Sequence, residues 1–547
     1  MDRRTGRAGA WLLMLVSAAS LATGRGPGEP YVYAHRGVST PVTAAQAAFD
    51  RGLTLVYAYQ PEEAEQAFRQ AARLDPACAM AFWGVALALG PNINVAPTAT
   101  HAAEAAKAIR HARTLAARRA TPAERDYIEA LAVRYSSAAE PDFDALALAY
   151  RDRMRELVER YPDDPDAAAL FAEAIMDVHP WRLWTPAGEP VAGTAELVAV
   201  IETGLRAHPD HLGLLHYYIH AVEGSRTPGR ALAGARRLAA LPMEPAAAHL
   251  VHMPAHTFLR VGDWQAAVDA NEHAVHHAVG FRRSKDPDVE HACSHCLQFL
   301  SYAYGMQGNA AGARRAAAAA RELDGQPWEL IAALARFGEW QELLEIAEPP
   351  AEPPADGSDP HLVRALWHYG RGLAELGTGH AERAQAELER LRSELALMPP
   401  ARQFSDQPDV AHVLDNLYAA LQATQAAVAE RVLAARLAFA ASRGADSVAL
   451  LREAVAIQDG AEYSEPPPWY YPVRETLAWV LYRGGAAADA EAQLRECLTL
   501  TPHDPRALVG LRQVLDGAGR TSEARSLDAE IAAAARHADR PLRWDPF

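Results

Sequence analysis

The chain has 547 residues, of which 50% are apolar and 22% are charged, so it is long enough for two or more domains with packed cores. Its formal net charge of -16 excludes two classes of partner. Nucleic acid and anionic membrane surfaces both attract clustered lysine and arginine, which an acidic chain of this kind does not supply.

The N-terminus has the pattern of a secretory signal. Arg3, Arg4 and Arg7 precede an apolar run over residues 11–21, and residues 20–22 (SLA) have the small residues of a cleavage site. The run is too short to span a membrane, and an ordinary buried helix is the alternative interpretation. We predict a cleavable signal peptide over residues 1–24, a periplasmic or secreted protein, and no membrane attachment after cleavage.

A 34-residue repeat follows. In residues 45–78, the small and aromatic residues stand at the offsets of a tetratricopeptide (TPR) repeat, namely Gly52, Ala64, Phe68, Ala71 and Pro76. A second clear copy covers residues 471–504, with Ala478, Leu481, Ala490, Leu494, Cys497 and Pro502. Small residues let antiparallel helices approach, and the late proline ends the second helix. The sequence therefore predicts an all-α fold of TPR-like helix-turn-helix repeats stacked into a right-handed superhelical solenoid.

Two proline-rich stretches interrupt the repeats. Residues 348–360 (EPPAEPPADGSDP) have the composition of an acidic linker or exposed loop, and residues 465–472 (EPPPWYYP) precede the last repeats. We therefore expect an N-terminal array over residues 31–347 that contains a histidine-rich groove, a linker over residues 348–360, and a C-terminal array over residues 361–547.

Histidine is concentrated in the middle of the chain. Residues 208–295 contain 12 of the 22 histidines, where an even distribution would place about 3.5. Three groups of polar residues follow intervals of three and four, which put each group on one face of a helix. The groups are His216, His220 and Glu223; His249, His252 and His256; and His295, Gln298 and Tyr302.

The repeat register predicts that these groups meet. If repeats begin near residues 212, 248 and 294, each group falls on the first helix of its repeat, which lines the inner surface of such an array. Packed helices lie about 8–10 Å apart, so imidazoles of neighbouring helices can share an ion. Neutral imidazole binds copper, iron and zinc, and Glu223 would act as a further ligand or as the acceptor that fixes a ring's tautomer. The candidate metal ligands are His216, His220, Glu223, His249, His252, His256 and His295.

Other interpretations of the histidine cluster stay open at this point. One is a groove that binds an anionic or peptide ligand, and another is polar packing or a pH-sensitive surface. Beyond the ligands, the predicted groove-lining residues are Gln298, Tyr302, Asn92 and Asn94. Cys293 and Cys296 form a C-x-x-C without the following histidine of a haem-attachment motif, so we expect a local disulfide or two packed thiols.

Five strings together resemble a family of exported bacterial tetratricopeptide-repeat proteins, along nearly all of the mature chain: WGVALALGPNIN, HYYIHAVE, HLVHMPAHTFLRVGDW, RFGEW and EPPPWYYPVR. The resemblance implies export and the repeat fold more firmly than any activity. It also implies a ligand role for His216, His220, His249, His252, His256 and His295. Where relatives show a second histidine after the position of His295, this chain has Gln298, so five or six histidines are the expected set.

Three function hypotheses follow. The first is an exported TPR scaffold that binds a transition metal (copper, iron or zinc), and a protein or peptide partner, in a histidine-lined concave groove. The alternative is a copper- or iron-dependent oxidoreductase that uses the same cluster, because two histidine triads on packed helices suit a dinuclear copper site. The third is metal sequestration or delivery. The sequence leaves open whether the site is catalytic and which oligomeric state the protein adopts.

Overall fold

The computed structural model describes residue 31 and residues 33–281, 287–352, 358–399 and 408–544, with side chains described outside residues 278–292. Within these ranges the regular secondary structure is helical, apart from two isolated bridges, Asn92–Val95 and Trp184–Pro190. The predicted all-α fold is confirmed. No helix in the described ranges is both long enough and apolar enough to cross a bilayer.

Helix packing divides the chain into two compact units. The described part of the first unit runs to Thr257 and also includes residues 408–417. Two short 3-10 helices, Pro228–Ala231 and Pro245–Ala247, also belong to this unit. Its α-helices are α1 (Thr43–Tyr57), α2 (Pro61–Leu74), α3 (Ala79–Ala88), α4 (Ala99–Arg119), α5 (Pro122–Ala132), α6 (Phe143–Arg160), α7 (Pro165–Met176), α8 (Thr194–Ala207), α9 (Leu212–Glu223), α10 (Leu232–Ala239), α11 (Ala248–His252) and the first part of α12 (Pro254–Arg260).

The second unit comprises the described residues from Phe258 to 399 and from Tyr418 onwards. Its helices are α13 (Trp264–Phe281), α14 (Pro287–Gln307), α15 (Ala310–Asp324), α16 (Trp328–Phe337), α17 (Trp340–Leu344), α18 (Pro360–Gly377), α19 (Ala381–Leu395), most of α20 (Val413–Ala440), α21 (Gly444–Asp459), α22 (Arg474–Arg483), α23 (Ala487–Leu500), α24 (Pro505–Gly517), α25 (Thr521–Ser526) and α26 (Asp528–Ala534).

Consecutive helices pack as TPR-like pairs, and the first repeat shows why. Phe68 on α2 is fully buried, and its ring lies against Gly52 on α1 and Gly84 on α3. A Cβ atom at either glycine would overlap the ring, so the absence of a side chain is what lets three helices close around it. Small residues of later helices are also fully buried, at Ala231, Ala267 and Ala313.

Short polar residues followed by proline begin several of these helices. Asp164 caps α7 by accepting the N–H groups of Asp166 and Ala167, and Thr121 forms a capping box at the start of α5. Proline at the first helical position lacks an N–H that would have no partner there in any case. The turns between helices are therefore specified locally by the sequence.

The sequence predicted four segments, namely a signal peptide, an N-terminal array, a linker and a C-terminal array. The predicted signal peptide, residues 1–24, lies outside the described residues, and so do residues 353–357 of the predicted linker. The remainder of that linker falls within the second unit. The division into an array over residues 31–347 and another over residues 361–547 stays a prediction.

Substitution of Gly84 by alanine is expected to lower the free energy of unfolding by about 1–3 kcal/mol, because the new methyl group overlaps the buried Phe68 ring. Gly444→Ala is the matched control, since nothing lies within 4 Å of a Cβ atom at that exposed helix start. Urea denaturation of both variants measures the difference. Equal stabilities would show that Phe68 is not held between close-packed helices.

Candidate metal centre

Helix α9 carries the first histidine group into the interior of the first unit. Every residue of α9, Leu212–Glu223, is buried, so this helix has no solvent-facing side. The His211 side chain caps the helix by accepting the Leu214 N–H at 3.2 Å. Gly213 lets the Tyr57 ring pack directly against α9, because a Cβ atom there would overlap the ring.

The second histidine group lies on two short helices. Helix α11 ends at His252 and helix α12 begins at Pro254, so the helical structure is interrupted between His252 and His256. The spacing predicted one helix, and the structure interrupts it here because Pro254 has no N–H to donate to the preceding turn, although Met253 keeps helical φ and ψ of −52° and −37°. The rings nevertheless remain together, with 2.9 Å between His252 Nε2 and His256 Nε2.

Three imidazoles converge within the first unit. One ring nitrogen each of His216, His220 and His249 lies within 4.8 Å of the other two. His216 Nε2 and His249 Nε2 are 3.2 Å apart. Two imidazole nitrogens bound to one tetrahedral ion, with bonds of about 2.0–2.1 Å, would be separated by about 3.3 Å. The observed separation therefore suits ligands that share an ion.

The hydrogen bonds of two rings fix their tautomers. His216 Nδ1 lies 2.6 Å from the Tyr57 carbonyl oxygen, and His220 Nδ1 lies 2.7 Å from Glu223 Oε1. Because a carbonyl or a carboxylate can only accept, each Nδ1 carries the proton and each Nε2 carries a lone pair. His220 Nε2 is buried and has no hydrogen-bond partner among the residues that the structure describes.

Glu223 joins the two histidine groups. Its Oε1 accepts from His220 Nδ1 and its Oε2 accepts from His256 Nδ1, both at 2.7 Å. Burial raises the pKa of this carboxyl, but the two imidazoles outweigh burial and bring the pKa below its ordinary value. Of the two roles predicted for Glu223, the geometry matches the acceptor that orients imidazoles from behind.

The imidazoles are buried and do not line an open groove. His216, His220, His252 and His256 are between 0% and 4% exposed, and only His249 is half-buried. This burial differs from the exposed surface that the predicted histidine-lined groove implies, because aromatic side chains cover the rings; the groove itself stays a prediction. Burial also lowers the pKa of His216 and His256, which keeps both rings in the neutral form that binds metals.

Tyr59 and Trp181 form this aromatic cover. The Tyr59 ring centroid lies 4.7 Å from that of His216, and Trp181 meets His220 edge-on at 5.5 Å. Both residues have left-handed backbones, with φ of 50° and 62°. Such conformations cost non-glycine residues energy, and they are concentrated at functional sites. The sequence analysis missed both residues, because nothing in their local pattern indicates that they lie beside distant histidines.

Further buried polar atoms lie near Tyr59. Hydrogen-bond partners are lacking for the Tyr59 and Tyr217 hydroxyls, for Glu173 Oε2 and for Asp177 Oδ1. Burial raises the pKa of both carboxyls, although Arg134 pairs with Asp177 at 2.5 Å. Buried polar atoms without partners require an explanation, such as a bound water, ion or substrate.

The predicted loop residues belong to the same unit. Asn94 Oδ1 accepts the indole N–H of Trp181 at 3.1 Å, and Asn92 Oδ1 accepts the Asn94 N–H at 2.8 Å. Because Trp181 contacts His220, the loop supports the aromatic cover of the imidazoles. These asparagines therefore act on the site through Trp181.

The third predicted group lies in the second unit. His295 is half-buried on α14 with its ring 5.0 Å from Phe299, and its ligand role stays a prediction. Gln298 and Tyr302 line a separate cavity with Arg336 and Tyr470. Cys293 and Cys296 are buried and not joined in a disulfide, as in the packed-thiol interpretation.

No protein-family model and no curated protein sequence matches the chain. Solved structures similar to it include the human IFIT1 dimer with m7Gppp-AAAA, at 12% identity and a TM-score of 0.33, where the match covers 98% of this chain and 96% of that chain. Yeast Tom70 matches at 10% identity and a TM-score of 0.30, covering 90% of this chain and 92% of that chain. At these values the comparisons transfer no site residue and no ligand.

In the metal-free protein, His216 and His256 are expected to lower the free energy of unfolding as the pH decreases from about 7.5 to about 5.5, whereas the raised pKa of Glu173 and of Asp177 acts in the opposite direction, so the test compares variants at single histidines. In the fold, the pKa of His216 and of His256 lies below the ordinary value, whereas both titrate near pH ~6.5 in the unfolded chain. The unfolded state therefore binds more protons over this interval, and stability is lost as the pH falls. An imidazole that stays neutral in the fold but titrates near pH ~6.5 in the unfolded chain lowers the free energy of unfolding by at most about 1.4 kcal/mol at pH ~5.5.

Urea denaturation in the presence of a chelator measures this dependence. His216→Gln should remove the contribution of one imidazole from the pH dependence. His537→Gln, at an exposed position, should leave the dependence as in the wild type. An undiminished dependence in His216→Gln would contradict the assignment of His216 as a buried neutral ring.

Proposed function

We propose that this chain is an exported TPR-like scaffold that holds a transition metal ion among the buried imidazoles of its first unit. The observation that supports this most is the convergence of His216, His220 and His249, whose ring nitrogens lie within 4.8 Å of one another. His216 and His220 have their Nδ1–H groups engaged by acceptors, which leaves a lone pair on each Nε2. That protonation state is the one a metal ligand needs.

Polar packing alone accounts for the cluster less well. A buried polar atom without a hydrogen bond costs about 1–3 kcal/mol, and His220 Nε2 is such an atom. A metal ion supplies the missing partner and requires the neutral ring.

The donor set suits copper, iron or zinc. Imidazole nitrogen binds all three, whereas calcium and magnesium prefer oxygen. Three imidazoles leave at least one coordination position for water or a further ligand. Glu223 holds two of the rings from behind, which is the arrangement that orients metal-bound histidines and raises their basicity.

The pair His252 and His256 offers a second position. Its Nε2–Nε2 separation of 2.9 Å suits two ligands at about 90° on an ion with bonds of about 2.05 Å. The pair lies next to the trio, since the His256 ring is 5.8 Å from that of His220 and the His252 ring is 6.1 Å from that of His249. Two ions on either side of Glu223 are therefore compatible with the described geometry.

Export and partner binding complete the proposal. The basic, apolar and small-residue pattern of residues 1–24 supports a periplasmic or secreted location. Arrays of helix pairs present extended surfaces that suit a protein or peptide partner. The net charge of -16 argues against nucleic acid as that partner.

A copper- or iron-dependent oxidoreductase is the second candidate. The observation in its favour is the group of buried, unpartnered polar atoms near the trio, which includes the Tyr59 hydroxyl. Burial and the nearby Glu173 raise the pKa of Tyr59, so its hydroxyl stays protonated. A small substrate or water beside an ion with open coordination positions would use these atoms as hydrogen-bonding partners.

Metal analysis of the untagged protein is expected to show one or two transition metal ions per chain. His220→Ala should abolish stoichiometric binding, because it removes one of the three converging nitrogens. Glu223→Gln should weaken binding by about 10–100-fold, because an amide cannot accept from both imidazoles at once. His537→Ala, at an exposed position, is the control and should bind as the wild type does.

Circular dichroism shows whether each variant keeps its helices, so that loss of metal can be separated from loss of fold. The proposal is wrong if neither the native protein nor the protein reconstituted with copper, iron or zinc retains an ion. It is also wrong if folded His220→Ala binds as tightly as the wild type.

Tyr59→Phe separates the two candidate functions, because it removes only the hydroxyl and keeps the covering ring. For a scaffold, metal content and affinity should match the wild type, and the metal-loaded protein should show no turnover of oxygen or phenolic substrates. For an oxidoreductase, electron paramagnetic and optical spectra should show an open copper or iron site, and the variant should lose activity at unchanged metal content.

A further inference from the structure

The second unit contains a solvent-connected cavity lined by arginines. Its volume is about 400 Å³, and its walls come from α16, α17, α24 and the segment that follows α26. The nonpolar part of the wall includes Phe337 and Trp340. The basic residues that line it are Arg336, Arg506, Arg540 and Arg543.

Two of these arginines lie next to each other although they come from different helices. Arg506 on α24 donates from Nη2 to the main-chain oxygen of Arg336 on α16 at 2.5 Å. Burial and the neighbouring Arg336 lower the pKa of Arg506 to about 10. The pKa of a guanidinium is lowered in this way where nearby negative charges neutralise it only in part.

The other two arginines approach from the C-terminal segment. Arg540 and Arg506 both lie over the Phe337 ring, at 5.6 Å and 5.7 Å from its centroid. Arg540 and Arg543 are exposed, and among the described residues Arg543 has no ion-pair partner. The cavity therefore brings together guanidinium groups that are separated by some 200 residues in sequence.

The nearest carboxylates do not balance this charge. Glu475 lies 3.4 Å from Arg336, and Glu339 lies 2.7 Å from Arg540, so each forms one ion pair. Asp504 caps α24, and burial beside Glu475 raises its pKa well above the ordinary value.

Asp539 accepts the N–H groups of Ala310 and Ala311, at 3.0 Å and 2.7 Å, and lies 3.7 Å from Arg540. Its carboxylate is therefore shared with the start of α15. Positive charge remains in excess in the cavity of a chain whose net charge is -16. Such an excess is costly for the protein alone, and it is favourable for an anionic ligand.

We propose that this cavity binds a small organic anion that carries two or more phosphate or carboxylate groups. Planar guanidinium groups bind both oxyanions through paired hydrogen bonds. The volume lies in the range of small-molecule sites, and Phe337 and Trp340 offer a nonpolar surface to the rest of the ligand. The site is independent of the imidazole cluster and of the proposed metal function.

Pyrophosphate and citrate, added separately to metal-free protein, test this proposal by isothermal titration and by thermal unfolding. Metal-free protein is used so that neither anion can bind through an ion held by the histidines. At least one of the two should bind and raise the melting temperature, in contrast to sodium chloride at equal ionic strength. Preference for pyrophosphate or for citrate identifies a phosphate or a carboxylate ligand.

The double variant Arg540→Gln with Arg543→Gln should weaken binding at least tenfold, because it removes two charged donors from the cavity wall. Both positions are exposed, so the fold should persist. Arg536→Gln, an exposed arginine that does not line the cavity, is the matched control and should bind as the wild type does. The double lysine variant should recover part of the affinity.

Absence of binding by both anions would overturn the proposal. So would equal weakening by Arg536→Gln and by the double variant, since that result would indicate unspecific attraction to surface charge. Because metal is absent throughout, neither outcome bears on the imidazole cluster.

Discussion

The carboxylate of Glu223 is the interaction on which the candidate site depends. It is 3% exposed, and it accepts one imidazole N–H on each oxygen. A buried charge of this kind is tolerated only when its lost hydration is replaced, and the two N–H groups replace it. In return the carboxylate fixes both rings in the tautomer that leaves Nε2 unprotonated. Helices α9 and α12 of consecutive repeats are thereby joined through a polar contact in the interior of the first unit.

Much of the fold could be predicted from the sequence because its determinants are local. The spacing of Gly52, Ala64 and Phe68 reflects how closely two neighbouring helices approach, and residues such as Asp164 and Pro165 mark where a helix begins. Each of these signals acts within about one repeat, so it can be recognised without knowledge of distant contacts. The compact units could not be located in this way, because they depend on contacts between distant residues, such as the hydrogen bond from the Val410 N–H to Asp144 Oδ1.

The candidate site was predictable only in part. The interval of four between His216 and His220 is a local property of a helix, and the structure keeps these rings together. Their burial depends on Tyr59 and Trp181, which lie more than 35 residues away along the chain and reach the rings through left-handed turns. The break at Pro254 was visible as a residue, but its compatibility with a close His252–His256 contact was not. The sequence therefore revealed the local spacing of the histidines, but it did not reveal the distant aromatic side chains that cover them.

The burial of these rings has a kinetic consequence. An ion held at His216, His220 and His249 would exchange its ligands with water only slowly, because His216 and His220 are buried beneath Tyr59 and Trp181 and only His249 is half-buried. The residence time of the ion would then be set by the rate of local opening and not by the strength of the metal–nitrogen bonds alone. The ion captured while the chain folds would be retained afterwards. The identity of the bound metal would therefore depend on which metals are available in the compartment where the chain folds. The general order of divalent metal affinities would matter less.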